Sequence, residues 1–300
     1  MQTLAELTEK AKHEQKKTVA VAAAADREVL IAVKKAAELN LCSFLLFGNE
    51  AEIHKQAGSV GLYLNSDQIN VVDAGGDPAG SAVRTVNDKS ADILMKGNVP
   101  TKTLLAAVLN KEWGLRSGSV LSHVALFEIP AYERVIFLTD AAMNISPGLK
   151  EKTEIIKNAV KVAHGIGLGE PKAAVLAAVE VVNESMQATT DAALLTQMQK
   201  RGQIGGCIVD GPLAFDNAVS LKAAGQKNIT SDVAGMADIL VVPNIETGNA
   251  LYKSFMYFAN AKVASVLSGA KAPIVLTSRA DSSESKLYSL SLALLSSKTF

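Results

Sequence analysis

Apolar runs of strand length alternate along this chain with segments of helical period, the pattern of a parallel sheet covered by helices. Parallel strands need long crossovers, normally helical, and strands buried on both faces read as near-continuous aliphatic runs. Such runs stand at 18–25, 43–48, 70–73, 92–96, 120–128, 134–139, 172–179, 206–210, 238–243, 263–266 and 273–277. Between them, helical period is read near 27–39, 51–57, 80–89, 101–110, 149–166, 191–201, 214–223, 248–261 and 282–297. Residues are 48% hydrophobic but only 5% aromatic, so Ala, Val, Leu and Ile must build the core.

The β-α order breaks once. The runs at 120–128 and 134–139 are joined by a short turn containing Pro130, which predicts an antiparallel pair and marks a crossover between domains. The 300 residues suit two ordinary domains. The reading is a first α/β domain from 1–130 plus 274–300 and a second from 131–273, with the Leu-rich last helix returning to the first. No low-complexity linker and no repeat of 20–50 residues separates the halves.

Thirty basic and thirty acidic residues give a formal charge of zero, so the chain lacks the basic footprint of a nucleic-acid binder and has no attraction to an anionic membrane. Its longest apolar runs are about seven residues, far short of the roughly 20 that span a bilayer. Residues 1–17 are rich in Glu and Lys at helical spacing and read as a helix of the mature fold rather than a signal peptide. Cys42 and Cys207 form no C-x-x-C pair, which suits a reducing cytoplasm. His13, His54 and His164 show no metal-ligand spacing, and His123 alternates with apolar neighbours as a strand residue; no metal site is expected.

Three segments carry chemistry. Lys96-Gly97-Asn98-Val99-Pro100-Thr101 follows a strand and opens a helix, where backbone amides with Lys and Thr side chains suit an anion; the alternative is an ordinary strand-to-helix loop. Ser278-Arg279-Ala280-Asp281-Ser282-Ser283-Glu284 also runs from strand to helix, and Arg279 can grip two phosphate oxygens at once. Asp281 and Glu284 have in addition the spacing of a capping box with Asp at the cap. The third joins Asp232-Val233-Ala234-Gly235 to the polar loop Asn244-Ile245-Glu246-Thr247-Gly248-Asn249 at a strand's carboxyl end, where α/β proteins bind ligands.

Taken in order with Asp140-Ala141-Ala142-Met143-Asn144 and Leu251-Tyr252-Lys253, these segments resemble the phosphate acetyl/butyryltransferase family, and the chain length with the run 278–284 is most similar to its butyryl-type branch. The resemblance implies two α/β/α domains with mostly parallel sheets, like isocitrate dehydrogenase, an active site in the interdomain cleft and a homodimer built on the second domain. It implies reversible transfer of an acyl group from coenzyme A to inorganic phosphate, the thioester being a substrate and no cofactor being resident. Ser278 and Arg279 match the family's Ser-Arg pair, Arg for phosphate and Ser beside the thioester or departing thiol. Lys96, Asn98, Thr101, Asn144, Asp232, Asn244, Glu246, Gly248 and Asn249 fall in the matching motifs as phosphate- or coenzyme A-binding positions. Acetyl-type members carry an Asp seven residues after that Ser, where this chain has Ser285. Asp281 or Glu284 takes over as base, or none is needed, since a thiol with a pKa near 8.5 is a fair leaving group. The other readings are a metal- and NAD-dependent decarboxylating dehydrogenase on the related fold, for which Asp210 and Asp232 are isolated in sequence, and a homologue without turnover.

Overall fold

The computed structural model describes residues 1–64, 66–277 and 281–300. In chain order the elements are α1 (Leu4–Ala11), β1 (Thr18–Ala22), α2 (Arg27–Glu38), β2 (Ser43–Gly48), α3 (Glu50–Val60), β3 (Ile69–Asp73), α4 (Pro78–Asn87), β4 (Ile93–Lys96), α5 (Thr101–Val108), β5 (Ser122–Glu128) and β6 (Ile136–Thr139). There follow α6 (Leu149–Gly165), β7 (Lys172–Leu176), α7 (Gln187–Lys200), β8 (Ile208–Leu213), α8 (Phe215–Val219), α9 (Leu221–Gln226), β9 (Ile239–Val241), α10 (Ile245–Tyr257), β10 (Lys262–Ser268), β11 (Ile274–Val275) and α11 (Ser283–Ser296).

The chain divides into two compact units, one of Leu4–Ser119 with Ala264–Lys298 and one of Val120–Val263. In the first, the strand order is β3-β2-β1-β4-β11-β10, parallel except for the antiparallel contact of β10 with β11. Every residue of β4 is buried, as befits a strand covered on both faces. Helix α2 starts where the Asp26 carboxylate accepts the Val29 N–H at 2.9 Å, and it buries Val29, Leu30, Ala32, Val33 and Ala36 at helical spacing. Helix α11 packs on α1 and α2 and is buried without a break from Lys286 to Ser296. The Ser289 hydroxyl accepts the Ser265 N–H at 2.9 Å, so even the polar positions of α11 are tied inside the unit.

In the second unit the order is β5-β6-β9-β7-β8, with β5 and β6 antiparallel and the rest parallel. The antiparallel pair is the one the Pro130 turn predicts. Its core is aliphatic around a small aromatic group, Phe127 lying edge-on to Tyr252 and to Phe255 at 5.2 Å between centroids.

Several expected elements are corrected at their ends. The N-terminal helix is α1 alone, eight residues rather than seventeen, because only Leu4, Leu7, Thr8 and Ala11 find a buried face. The segment expected as one helix at 214–223 is two short helices, α8 and α9, and the last strand is two residues long. Helix α10 begins at Ile245 rather than 248, so part of the expected polar loop is helical.

Candidate functional site

In the first unit the chain leaves β1 through α2 toward β2 and β3, then returns to lay β4 on the other side of β1. The direction of winding reverses between β1 and β4, and in such sheets the carboxyl ends at that point open a binding crevice. Lys96 ends β4 there, 5% exposed, its ammonium 3.3 Å from the Gly97 carbonyl. Gly97 donates its N–H to Ala22 at 2.8 Å and Asn98 to Ala23 at 2.7 Å, stitching the loop to the end of β1. A Cβ on Gly97 would lie 2.1 Å from the Ala23 carbonyl oxygen, so the approach admits only glycine. Asn98 and Thr101 are exposed. Pro100 precedes α5 with no side-chain cap, leaving its first-turn N–H groups available to an anion.

Strand β11 runs parallel to β4 with Ile274 opposite Leu94 and Val275 opposite Met95. Strand β11 ends at Val275 and β4 one residue beyond the paired Met95, at Lys96, so the two neighbouring strands finish close together. Ser278 and Arg279, expected to carry the chemistry, lie outside the described residues. Asp281 is half-buried, and its backbone carbonyl accepts from the Lys286 ammonium at 2.5 Å. The capping-box expectation is corrected here: Ser282 is the cap, accepting the Ser285 N–H at 3.2 Å, and the exposed Glu284 accepts the Tyr288 O–H at 2.8 Å. Ser wins because the helix starts one residue later than the Asp281 spacing required.

In the second unit, adjacent β6 and β9 bring their following loops side by side. The buried Asp140 carboxylate accepts N–H groups from Ala142 at 2.9 Å, Met143 at 3.0 Å and Asn144 at 3.1 Å, and the Asn144 side-chain amide at 2.6 Å. Asn144 also donates to the Leu121 carbonyl at 2.8 Å. The Asn144 amide group therefore builds the loop. Asn244 caps α10 by accepting both the N–H and the hydroxyl of Thr247, at 2.9 and 2.7 Å. Gly248 lies against this loop, a Cβ there standing 2.5 Å from the Asp140 carbonyl, and the Asn249 amide reaches the Ala141 carbonyl at 3.5 Å. Glu246 and Asn249 are exposed in the first turns of α10. Asp232 is exposed in a turn held by the Ser231 hydroxyl and tied through Gly235 to the Asn217 carbonyl.

Asp140 is the anchor to which the sequence assigned no role, although a strand followed by Asp with Asn four residues on is an Asx-turn signal. Lys286 is buried at the head of an apolar helix. His123 is 7% exposed in β5, its ring 5.9 Å from that of Tyr252. Burial pushes the Cys42 thiol far above its ordinary range, and burial together with the charge of Glu170 pushes Cys207 up to about 11. Among the described residues no group of three or more His, Cys, Asp or Glu is placed to hold a metal ion.

Two mostly parallel α/β units with hydrogen-bond donors and a buried lysine at their strand ends make an α/β protein suited to an anionic ligand. The family model for phosphate acetyl/butaryl transferase matches residues 2–83 and 76–294, and the chain belongs to that family. It is 57% identical over 299 residues to the "probable phosphate butyryltransferase" of Bacillus subtilis, covering 99% of each chain. It is 48% identical over 290 residues to the phosphate butyryltransferase of Clostridium beijerinckii, covering 97% of this chain and 96% of the relative. Among solved structures, a branched-chain phosphotransacylase from Enterococcus faecalis superimposes with a TM-score of 0.82 at 38% identity, covering 94% of this chain and 99% of that one. A 4-hydroxythreonine-4-phosphate dehydrogenase from Klebsiella pneumoniae, 11% identical over 94% of this chain and 100% of its own, shares the fold with a TM-score of 0.59.

Proposed function

We propose that the chain transfers a short acyl group, butyryl by preference, reversibly from coenzyme A to inorganic phosphate, giving an acyl phosphate and the free thiol. The observation that carries this reading is the parallel pairing of β4 with β11, which sets the end of β4 with Lys96 and the uncapped start of α5 beside the strand that precedes Ser278-Arg279 in sequence, next to the winding reversal. A phosphate oxygen attacks the thioester carbonyl carbon, the carbonyl oxygen gains charge, and the C–S bond then breaks with its electron pair leaving on sulfur. Such a reaction needs anionic oxygens held together, which suits Arg279, Lys96 and helix amides, with Ser278 beside the sulfur. Asn98, Thr101, Asn144, Asp232, Asn244, Glu246, Gly248 and Asn249 are assigned to phosphate and coenzyme A binding. Asp281 and Glu284 are assigned to proton transfer, a minor contribution because the departing thiolate is already a fair leaving group. The buried, raised thiols support direct attack in a ternary complex over an acyl-cysteine route. The setting assigned is cytoplasmic, and no helix of the described residues is long and apolar enough to cross a membrane.

The deciding assay is phosphate-dependent release of free thiol from butyryl-CoA with acetyl-CoA as comparison, without added metal or nicotinamide. Turnover under those conditions is expected, with butyryl favoured. Each methylene is worth about 10- to 200-fold and butyryl carries two more than acetyl, so the preference is read from kcat/KM ratios. An absolute requirement for metal and nicotinamide would reject the reading.

A further inference from the structure

In the second unit, Asn144 and Asn244 follow the carboxyl ends of β6 and β9, and the opposite, amino ends of the same strands carry a cavity of about 410 Å³. That is the size of a small-ligand pocket. It is lined by Arg134 just ahead of β6, Lys172 at the start of β7, Asp238 just ahead of β9, and Leu221, Gly235 and Met236. The Asp238 carboxylate accepts the Arg134 guanidinium at 2.7 Å on one oxygen and the Lys172 backbone N–H at 2.9 Å on the other. Arg134 donates also to the Ala237 carbonyl at 3.0 Å. Both charges of that pair are spent. The Lys172 ammonium, by contrast, has no hydrogen bond or ion pair among the described residues, so the cavity keeps one positive charge.

The first unit shows what the strand ends require without a ligand. Ala-Asp-Ile-Leu stands at 91–94 and again at 237–240, and in both places the Asp braces the neighbouring strand. Asp92 donates its N–H to the Thr18 carbonyl at 2.8 Å and accepts the Thr18 N–H at 2.8 Å, while Lys17 pairs with its other oxygen at 3.2 Å. Asp238 repeats this on Lys172, whose carbonyl accepts the Asp238 N–H at 2.8 Å. The brace therefore works with Thr at the position of Lys172, and the ammonium is surplus to it. An apolar wall lies beside that charge: Leu221 is 64% exposed, and Gly235 brings it in, since a Cβ there would stand 2.6 Å from the Leu221 backbone. Apolar lining with one charged group to fix orientation is the make-up of a small-molecule site.

We propose that this cavity binds a small organic anion, its carboxylate or phosphate head on Lys172 and its short aliphatic chain against Leu221 and Met236. The site is separate from the strand ends assigned to acyl transfer and does not depend on that reading.

Calorimetric titration of the full chain with butyrate, butyl phosphate and butylamine tests it, in the parent and in Lys172→Met, Leu221→Ser and Lys96→Met. The parent is expected to bind at least one of the two anions saturably at about 1 mM or tighter, and the tighter one names the head group. K172M should weaken that binding about tenfold or more, the loss of a hydrogen bond to a charged group, and L221S about threefold or more. K96M, altered at the other end of a different sheet region, should bind within about twofold of the parent. Absence of saturable binding by either anion, butylamine bound as tightly as butyrate, or unchanged affinity in folded K172M overturns the proposal. So does affinity lost in K96M and kept in K172M, which assigns the anion to the carboxyl end of β4. If K172M melts below the parent chain, L221S decides, weakened binding supporting the site and unchanged binding removing it.

Discussion

Cys207 is 3% exposed just ahead of β8, and its thiol is pushed from 9.0 up to about 11 by burial first and by the charge of Glu170 second. At pH 8 its thiolate fraction is on the order of one in a thousand, and that of the more deeply buried Cys42 is smaller still. Neither sulfur is therefore a working nucleophile near neutrality. The expected outcome is that a thiol reagent at pH 8 labels neither cysteine of the native protein on the timescale in which it labels both after denaturation, read by intact mass. Because the folded-state value is raised, the thiol of Cys207 stabilises the fold fully below about pH 9 and loses that contribution as pH rises toward 11, the value in the folded chain. Urea midpoints should accordingly fall between pH 8 and pH 11. Rapid native labelling at pH 8 would return an acyl-cysteine route to consideration.

The strand-to-helix junctions show what a sequence reveals about elements and what it hides. The junction from β4 to α5 was legible, since a buried strand, a Gly and then Pro before a Thr-rich turn are all local signals. The start of α10 was not, because Asn244 competes with Gly248 as the point where the helix begins, and the contest is settled by the Ile245 N–H reaching the Ile145 carbonyl at 3.0 Å, a contact 100 residues distant. The role of Asp140, by contrast, is local, its partners lying two to four residues on. Glycines at such junctions separate sterics from flexibility. A Cβ on Gly97 meets backbone oxygen at 2.1 Å, whereas one on Gly148, the residue before α6, meets only the Glu151 carboxylate at 3.8 Å. Gly97→Ala should therefore cost at least about 1–3 kcal/mol, since the β1 backbone must move. Gly148→Ala should cost about 0.5–1 kcal/mol, the ordinary difference between Gly and Ala at a helix N-cap, with no steric penalty added. Equal melting temperatures for the two variants would show that the approach of Gly97 to β1 is not tight in solution.

At the scale of the molecule, zero formal charge and a sequence pI near 6.9 leave no strong electrostatic repulsion between copies of the chain. Large apolar side chains are exposed unevenly: Tyr63 and Leu109 in the first unit, against Val181, Val182, Leu194, Tyr257 and Phe258 among those in the second. Phe258 and Tyr257 are 89% and 80% exposed, and Val181 and Val182, at 63% and 60%, stand in a loop fastened to α7 by the Thr189 hydroxyl. Single exposed apolar residues are ordinary, and only a contiguous group marks an interaction surface, so the uneven distribution is a reason to test this unit. The expectation is that a second copy of the chain covers some of these residues, since the family resemblance implies a homodimer on this unit and an isologous interface needs one self-complementary face. Light scattering at micromolar concentration should give the mass of a dimer or a larger closed assembly. Val182→Asp combined with Leu194→Glu should shift the population toward monomer while the chain keeps its helical circular dichroism, since Val182 and Leu194 are 60% and 50% exposed and lie outside the core. A parent chain that is monomeric at all concentrations, or a double variant with unchanged mass, would remove this surface as the contact.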